Sequence, residues 1–420
     1  MLNMFRIRTA RCAGPFFGLV AILVVTMACQ GTETVKTEPG ENTANTGKDW
    51  PQYRGPERTG KTSESNWTTK WSDKGPKEIW SAELGDGFSS FSVVGDRLYT
   101  MGNKGGQDIV WCLNADTGKE IWKHTYKASA ARRNGGPGMT PTVDPESNLV
   151  FTLSRKGDMY CLKADTGDVV WSKNANDFNN PGQWGWSCSP MIKGDMLIWD
   201  LGVIVAMNKK TGDVIWKSKK HPAAYSSPYL FTQDGKEYLA TFPGDGVLIL
   251  DPKTGKEFGL YPLKIKYGVS AVMPIYHDGY VFVAGGYRNG SALVKVTPAP
   301  KEVWRKRNHM SNHMNTSILI DGYLYGVDGN RLQCIDFKTG EEQWAQRGYG
   351  KGSLIAADGK LIILGQKGDL AISEASPKGL KMISKAKVLD GLCWTIPVLA
   401  HGKLYCRTHE GRLICLDLSK

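Results

Sequence analysis

The 420-residue sequence lacks the features that mark several large protein classes. It has no long run rich in Ala, Glu, Leu and Lys, which argues against a helical bundle. Lys and Arg are scattered without a block of five or more, so the formal charge of +12 indicates a basic soluble surface and not a nucleic-acid-binding stripe. The sequence is instead rich in Gly (49), Tyr (16) and Trp (14), a composition that favours many short strands joined by glycine turns.

The N-terminus has the pattern of an export signal. Three arginines precede an apolar run from Pro15 to Ala28, which is too short to span a bilayer comfortably. The run ends at Cys29 in the sequence VTMAC, which resembles a bacterial lipobox except that Thr26 replaces the usual aliphatic residue. We predict a lipoprotein-type signal peptide over residues 1–28, lipidation of Cys29 and a polar tether over residues 29–49. Plain secretion is the alternative. Gln30 stands after the cysteine and is not an Asp, and resemblance to the sorting of Gram-negative lipoproteins then implies the outer membrane and not the inner membrane.

One phrase recurs through the rest of the chain. It reads CLNADTGKEIW at Cys112–Trp122, CLKADTGDVVW at Cys161–Trp171 and CIDFKTGEEQW at Cys334–Trp344, with further copies between and around these. The tryptophan position recurs at intervals of 38 to 49 residues and defines eight units. The repeat is therefore the unit of the fold.

Each repeat contains four short apolar runs, which predict four strands. Asp-Gly pairs such as Asp234-Gly235 and Asp278-Gly279 stand between the first and second runs, where a tight hairpin needs positive φ. Four-stranded units of this length are the blades of a β-propeller. We predict an all-β, eight-bladed propeller over residues 50–420. The strand around Trp80 should complete the eighth blade beside Leu413–Leu418 and close the ring.

The cysteines do not form a disulfide framework. The sequence has no Cys-Cys pair and no CxxCH haem motif, and four cysteines (Cys112, Cys161, Cys334 and Cys415) occupy one equivalent repeat position. Equivalent positions lie in different blades, too far apart for a disulfide. We therefore expect small, buried core residues.

The repeated phrase and the opening WPQYRGP with Arg58-Thr59-Gly60 resemble the quinoprotein-type (PQQ-like) propeller family. This resemblance covers the chain from about Trp50 to the end. The family includes quinoprotein alcohol dehydrogenases and lipid-anchored outer-membrane assembly factors of the BamB type. The dehydrogenase branch is typically longer and covers its cofactor with a disulfide between adjacent cysteines, which this chain lacks. Length, anchor and eight blades fit the BamB-type branch better.

One face of the predicted propeller carries the loops that vary. We call it the funnel face: it is formed by the loops that join the outer strand of one blade to the inner strand of the next, and by the loops between second and third strands. The opposite, turn face carries the nearly identical Thr-Gly turns. Loops without a structural duty are free to specialise, so we expect binding on the funnel face. The candidate site residues are Arg132, Arg133, Trp184, Trp186, Tyr225, Tyr267, His309, His313 and Trp394.

Aromatic residues in these loops could equally serve to plug the axial channel. Trp184 and Trp186 alternate and would form a stacking platform if they lay on one strand. His309 and His313 are four residues apart, which suits a metal only if their loop is helical, and a polar loop is favoured over a metal site. Asp390 is a weak candidate for a general base.

These observations predict a cell-envelope scaffold that binds proteins through the funnel face and the membrane through a lipid anchor, with no nucleic acid. We expect neither a cofactor nor enzymatic activity. The first alternative is a periplasmic quinoprotein dehydrogenase of alcohols or sugars, which would require PQQ and calcium. The second is a propeller that binds a carbohydrate or another small ligand.

Overall fold

The computed structural model describes residues 49–128, 135–297, 300–307 and 309–420. Their strands form eight sheets of four strands, of which one carries a short fifth strand. The predicted eight-bladed propeller is therefore confirmed. Over the same residues no helix is long and apolar enough to cross a membrane, and the 3₁₀ helices Ala175–Asp177 and Lys266–Gly268 are single turns.

The first eighteen strands include the first four blades. In chain order they are β1 Lys61–Thr62, β2 Glu78–Glu83, β3 Ser92–Val94, β4 Arg97–Lys104, β5 Gln107–Asn114, β6 Glu120–Lys127, β7 Thr142–Asp144, β8 Leu149–Leu153, β9 Asp158–Lys163, β10 Val169–Asn174, β11 Met191–Lys193, β12 Met196–Leu201, β13 Val203–Asn208, β14 Val214–Lys220, β15 Tyr229–Gln233, β16 Lys236–Thr241, β17 Gly246–Leu250 and β18 Glu257–Pro262.

The remaining strands continue the same pattern. They are β19 Ile275–His277, β20 Tyr280–Gly285, β21 Gly290–Lys295, β22 Lys301–Lys306, β23 Ile318–Ile320, β24 Tyr323–Asp328, β25 Arg331–Asp336, β26 Glu342–Arg347, β27 Ser353–Ala357, β28 Lys360–Leu364, β29 Asp369–Glu374, β30 Lys381–Lys387, β31 Val398–Ala400, β32 Lys403–Arg407 and β33 Arg412–Asp417.

Blades 1 to 6 are consecutive antiparallel groups of four strands, beginning with β3–β6 and ending with β23–β26. Blade 7 is β27–β30, and β1 pairs with β27 in parallel. Blade 8 is β31–β33 completed by β2. The hairpins between first and second strands follow the predicted chemistry, since Asp278 and Gly279 both have positive φ, 47° and 83°.

The repeat tryptophans lie on the outer strands of six of the eight blades and contact the blade that follows. The indole nitrogen of Trp171, on the outer strand of blade 2, donates to the Lys209 carbonyl of blade 3 at 3.0 Å. Its ring packs against Gly212 of the following Thr-Gly turn, where an added Cβ would lie 2.9 Å from the ring and φ is +75°. The glycine of the phrase is thus required by the tryptophan of the preceding blade. The indoles of Trp80 and Trp122 donate to equivalent carbonyls at 3.1 and 3.0 Å.

The ring is closed as the sequence predicts. Trp80 of β2 lies opposite Cys415 of β33, which confirms the predicted N-terminal strand in blade 8. Arg407 at the end of β32 is fully buried and donates to the carbonyls of Met101 at 2.8 Å and Gly85 at 2.9 Å. Blades 8 and 1 are thereby joined by buried hydrogen bonds as well as by the chain that leads from β2 to β3. All seven cysteines of the described residues are free and buried, as expected.

The segment that precedes the blades runs across the ring. We call residues 49–62 the axial segment. Trp50 forms a bridge with Val93 of blade 1, whereas Thr62 pairs with Ala357 of blade 7. The segment therefore contacts inner strands on different blades and occupies the axis between them.

Two buried arginines hold the axial segment in place. Arg54 donates to the carbonyls of Thr316 and Ser317 of blade 6, both at 2.8 Å. Arg58 donates to the carbonyl of Pro190 of blade 3 at 2.8 Å. Burial lowers the pKa of each arginine to about 10, so both remain charged at neutral pH. Hydrogen bonds to backbone carbonyls therefore offset the desolvation cost of the two buried guanidinium groups at the axis.

Candidate functional site

A cavity of about 310 Å³ lies at the axis of the ring on the funnel face. All eight blades contribute to its lining, mostly through residues that immediately precede the inner strands, and Tyr53 of the axial segment also lines it. The volume is at the lower end of the range for small-molecule sites. The serines and threonines of the lining are Ser90, Thr140, Ser187, Ser189, Ser227 and Thr395.

Some of these hydroxyls fix the spacing of the inner strands. The Ser189 hydroxyl accepts from the Thr140 amide at 2.9 Å, and the Ser227 hydroxyl accepts from the Ser189 amide at 2.9 Å. One hydrogen bond thus joins blade 2 to blade 3 at the cavity, and another joins blade 3 to blade 4. These two hydrogen bonds link neighbouring blades directly beside the cavity.

Stacked aromatic rings form one side of the cavity. We call Phe88, Trp394, His409 and Lys351 the Trp394 wall. Phe88 stacks on His409 with ring centroids 4.3 Å apart and on Trp394 with centroids 5.7 Å apart. The Lys351 ammonium lies 5.1 Å from the centroid of the Trp394 ring, within the range of a cation–π interaction. Phe88, Trp394 and Lys351 line the cavity directly.

A second aromatic group continues from the cavity to the exposed rim. We call His313, Tyr287, Tyr267 and Lys266 the Tyr287 wall. Tyr287 packs edge-on against His313 at 4.5 Å and against Tyr267 at 5.0 Å. The Lys266 ammonium lies 5.0 Å from the Tyr267 ring. His313 and Tyr287 line the cavity, whereas Tyr267 is 58% exposed at the rim.

The lining carries positive charge. Arg155 of blade 2 and Lys351 of blade 7 are its cations, and no Asp or Glu occurs among the described lining residues. Burial, followed by the charge of Lys351, lowers the pKa of His313 to about 4, so this imidazole is neutral at pH 7. Burial also lowers the pKa of Lys351. The cavity therefore combines aromatic surfaces with two partly desolvated cations.

The structure brings five of the sequence-predicted residues together. Trp184, Trp186, Tyr225, His313 and Trp394 all line the cavity. The Tyr225 hydroxyl accepts from the Trp184 amide at 3.0 Å, so blades 3 and 4 meet there. These residues remain our candidates for binding.

Other candidates lie elsewhere. His309 does not line the cavity, and its Nδ1 lies 3.1 Å from the Gly340 carbonyl. Asp390 is also outside the lining; its side chain is 97% exposed and lies 3.3 Å from the Lys387 ammonium, so the structure gives it no buried proton-accepting role. Arg132 and Arg133, like Cys29, lie outside the described residues.

The alternation of Trp184 and Trp186 does not produce the expected platform. Trp184 lies in a turn, and neither residue belongs to a strand. Trp184 is 42% exposed, whereas Trp186 is buried and donates to the Asn176 side chain at 3.0 Å. The interpretation as a common stacking face is wrong because Trp184 lies inside the tight turn closed by the Gly182–Gly185 bridge, whereas Trp186 follows that turn.

Most other lining residues were not among the predicted candidates, and Arg155, Tyr287 and Lys351 are three of them. Arg155 and Tyr287 lie in loops between second and third strands, and Lys351 lies just before an inner strand. All three belong to loop classes that form the funnel face. Their position in these loops could have placed them on the funnel face. Nothing in the local sequence, however, distinguishes them from exposed turn residues.

The cavity does not fit the calcium site that the dehydrogenase alternative requires. Calcium prefers six to eight oxygen ligands that include carboxylates. The described lining offers no carboxylate, and its two cations would repel the ion. More widely, the described residues contain no cluster of three or more His, Cys, Asp or Glu side chains suited to a metal.

A closed ring of eight blades, six of which carry the repeat tryptophan on the outer strand, with a loop-lined cavity at its axis, defines a quinoprotein-type propeller. The chain belongs to the family whose model is described as outer membrane protein assembly factor BamB, which matches residues 106–346. This match confirms the predicted resemblance and places the chain closest to the BamB-type branch.

Individual relatives agree with this assignment. The BamB of Burkholderia pseudomallei is 27% identical over 206 residues, which are 47% of this chain and 48% of the relative, so the chain spans about half of that protein. The BamB of Yersinia pestis is 22% identical over 80% of this chain and 77% of its own length. A polyvinylalcohol dehydrogenase from Pseudomonas sp. is 26% identical over 39% of this chain and 28% of its own length.

The crystal structure of BamB from Moraxella catarrhalis has the same fold. It superimposes with a TM-score of 0.60 at 17% identity and covers 81% of this chain and 97% of its own. At this identity the likeness concerns the architecture.

Proposed function

We propose that this protein is a scaffold of the bacterial cell envelope that takes part in outer-membrane protein assembly by binding a partner protein. The observation that carries the proposal is membership of the BamB family over residues 106–346. Under the same proposal Cys29 carries a lipid that attaches the propeller to the outer membrane.

The funnel face supports this role through its exposed aromatic side chains. Tyr267, Trp184 and Tyr287 are 58%, 42% and 41% exposed. Tyrosine and tryptophan are enriched among the residues that dominate binding energy at protein interfaces. Lys264 and Lys266 flank this rim, so an acidic partner surface would complement it.

Site-specific photo-crosslinking tests the proposal. A benzophenone amino acid replaces Tyr267 on the funnel face and, as the matched control, Lys253 in a Thr-Gly turn. We expect Tyr267 to crosslink in living cells to a component of the outer-membrane assembly machinery, identified by mass spectrometry, and Lys253 to give no such product. Equal crosslinking from both faces, or normal levels of outer-membrane proteins in cells without this protein, would contradict the proposal.

The anchor is tested separately. Metabolic labelling with a palmitate analogue should mark the wild-type protein and leave Cys29→Ser unlabelled. A native N-terminus at another, unmodified residue would contradict lipidation.

The dehydrogenase alternative has a direct test as well. Addition of PQQ and calcium, followed by dye reduction with alcohols and sugars, should give no turnover. We expect this because the described lining holds no carboxylate that could act as a base. Saturable turnover would overturn the scaffold proposal.

A further inference from the structure

Two neighbouring blades expose pairs of aliphatic side chains at the side of the ring. The residue two places before the repeat tryptophan position is glutamate on five outer strands, namely Glu78, Glu120, Glu257, Glu302 and Glu342. Blades 2 and 3 carry Val169 and Val214 there, and each is followed by a second aliphatic residue. The exposed fractions of Val169, Val170, Val214 and Ile215 are 48%, 41%, 41% and 50%. Blades 2 and 3 therefore present an apolar surface where five of the other six blades carry a charge.

A β-bulge explains why both members of each pair are exposed. In a regular strand successive side chains point to opposite faces, so one of the two would turn inward. The register shifts between Val169 and Trp171, which leaves Val170 without a partner residue on β9. Blade 3 has the same shift before Trp216, and Ile215 is the residue left over. The tryptophan that follows each pair is buried, so the inward position of the strand is already occupied.

Lysines border this apolar surface on β14. Lys217 and Lys220 are exposed, and neither forms an ion pair within the ranges that the structure describes. The Lys219 side chain between them is 84% exposed, and its ammonium lies 3.9 Å from the Glu257 carboxylate. We call this surface the blade 2–3 edge, and it consists of Val169, Val170, Val214, Ile215, Lys217 and Lys220.

The opposite side of the ring shows how such a lysine is neutralised. On blade 7, four blades away, Lys385 occupies the strand position that Lys217 has on blade 3. The Lys385 ammonium lies 3.8 Å from the carboxylate of Asp369. Blade 3 has Val203 at the place of Asp369. Because Val203 carries no charge, the ammonium of Lys217 is left for an anion outside the protein.

The composition of the blade 2–3 edge favours a lipid surface over a protein partner. Trp, Tyr and Arg dominate the binding energy of protein interfaces, whereas valine is under-represented among such residues and lysine is depleted at interfaces. The edge consists of valine, isoleucine and lysine. At a membrane surface, aliphatic side chains enter the headgroup region while lysine side chains extend so that their ammonium groups reach the phosphates. A lipid surface therefore accounts for both the apolar and the charged residues of the edge.

We propose that the blade 2–3 edge docks on an anionic phospholipid membrane, with its four aliphatic side chains in the headgroup region and Lys217 and Lys220 at lipid phosphates. This surface is separate from the funnel-face rim to which we assign partner binding, and it does not rest on that function. Loss of partner crosslinking at Tyr267 would leave the membrane contact in place. Absence of vesicle binding would leave the scaffold proposal in place.

Vesicle co-sedimentation tests the proposal on the mature chain, residues 29–420, with Cys29→Ser so that no lipid is attached. The vesicles contain phosphatidylcholine alone or phosphatidylcholine with about 30% phosphatidylglycerol, which is anionic. We expect the partition coefficient to be at least tenfold higher for the anionic vesicles, and to fall as salt is raised from about 50 to about 500 mM. Equal partitioning into the two kinds of vesicle, or no binding to the anionic ones, would overturn the proposal.

The apolar contact has a variant that the fold should tolerate. Val214→Glu introduces the residue that five other blades carry at this position, so its thermal midpoint should match that of the wild type. We expect its binding to anionic vesicles to be at least fivefold weaker. Met382→Glu is the matched control, because Met382 is 42% exposed at the equivalent position of blade 7, and it should bind like the wild type. If Val214→Glu binds as the wild type does, the edge does not contact the membrane and the proposal is wrong.

The charge contact is tested by a pair of lysine substitutions. Lys217→Gln with Lys220→Gln should weaken binding to anionic vesicles at least tenfold and leave binding to phosphatidylcholine unchanged, whereas arginine at both positions should retain it. Lys385→Gln with Lys387→Gln is the matched control on blade 7, where both lysines have acidic partners. Equal losses in the two pairs would show that only the net charge of the protein matters, and the assignment to the blade 2–3 edge would fail.

Discussion

Replacement of Trp171 by alanine should destabilise the propeller strongly, whereas replacement of Trp184 should not. Trp171 is only 8% exposed; its ring fills the space against Gly212, and its indole nitrogen bonds to the Lys209 carbonyl. The substitution removes a large buried ring and leaves a cavity between blades 2 and 3. Such changes cost about 3–5 kcal/mol.

Trp184 is the matched control because it is the same residue type in a different environment. Its side chain is 42% exposed and lies in a turn of the funnel face. Exposed substitutions usually change stability by about 0.5 kcal/mol. Trp184→Ala should therefore keep the stability of the wild type and weaken binding of a partner protein.

Equilibrium urea unfolding, followed by circular dichroism, measures both variants. The Trp171→Ala midpoint should fall well below that of the wild type, and the Trp184→Ala midpoint should stay close to it. Equal losses of stability in both variants, with no selective effect on binding, would refute the distinction between a structural repeat tryptophan and a binding-site tryptophan.

Two further predictions concern charged groups inside the ring. The Lys209 ammonium lies 2.7 Å from the Asp144 carboxylate, joins blades 3 and 2, and both side chains are 7% exposed. Lys209→Met alone leaves a buried, unpaired carboxylate and should lower the free energy of unfolding by about 3–5 kcal/mol, whereas adding Asp144→Leu should recover most of this loss. A double variant as unstable as the sum of the two single variants would contradict this prediction. Burial lowers the pKa of His221, but contacts with Asp245 and Glu257 outweigh burial and raise it overall. The stabilisation by His221 should be complete below the ordinary histidine pKa of about 6.5 and be lost as pH rises through the raised folded-state value. The thermal midpoint of the wild type should exceed that of His221→Gln at pH 6 but not at pH 9. A difference between the two midpoints that grows as pH rises would contradict a raised pKa for His221.

The sequence predicted the blades well because the repeat phrase carries both spacing and chemistry. The partner of Trp80, for example, follows from the missing outer strand of the last repeat, and the structure pairs it with Cys415. The positive φ of Asp278 and Gly279 likewise follows from a local turn rule. In these cases the information lies within a few residues or in the comparison of repeats.

The site was predicted less completely because the paths of its loops are set by distant contacts. His309 and His313 are only four residues apart, yet one contacts Gly340 and the other lines the cavity. Between them Met310 has a φ of +52°, a conformation that no local pattern indicates for methionine. The axial segment was recognised only as a family-like opening, because the blade carbonyls that its arginines bind lie more than 130 residues away along the chain.

The axial segment also has a consequence for how the chain folds. A ring whose repeats touched only their neighbours could lose and regain blades one at a time. Here the bonds from Arg54 to Thr316, 262 residues along the chain, and the contact of Asp49 with His401, 352 residues along, connect blades that do not touch. Contacts of such long sequence separation form late and slow the search for the native state. The axial segment is synthesised before any blade but reaches its place only when the last blade has formed, so the finished ring should unfold as one cooperative unit.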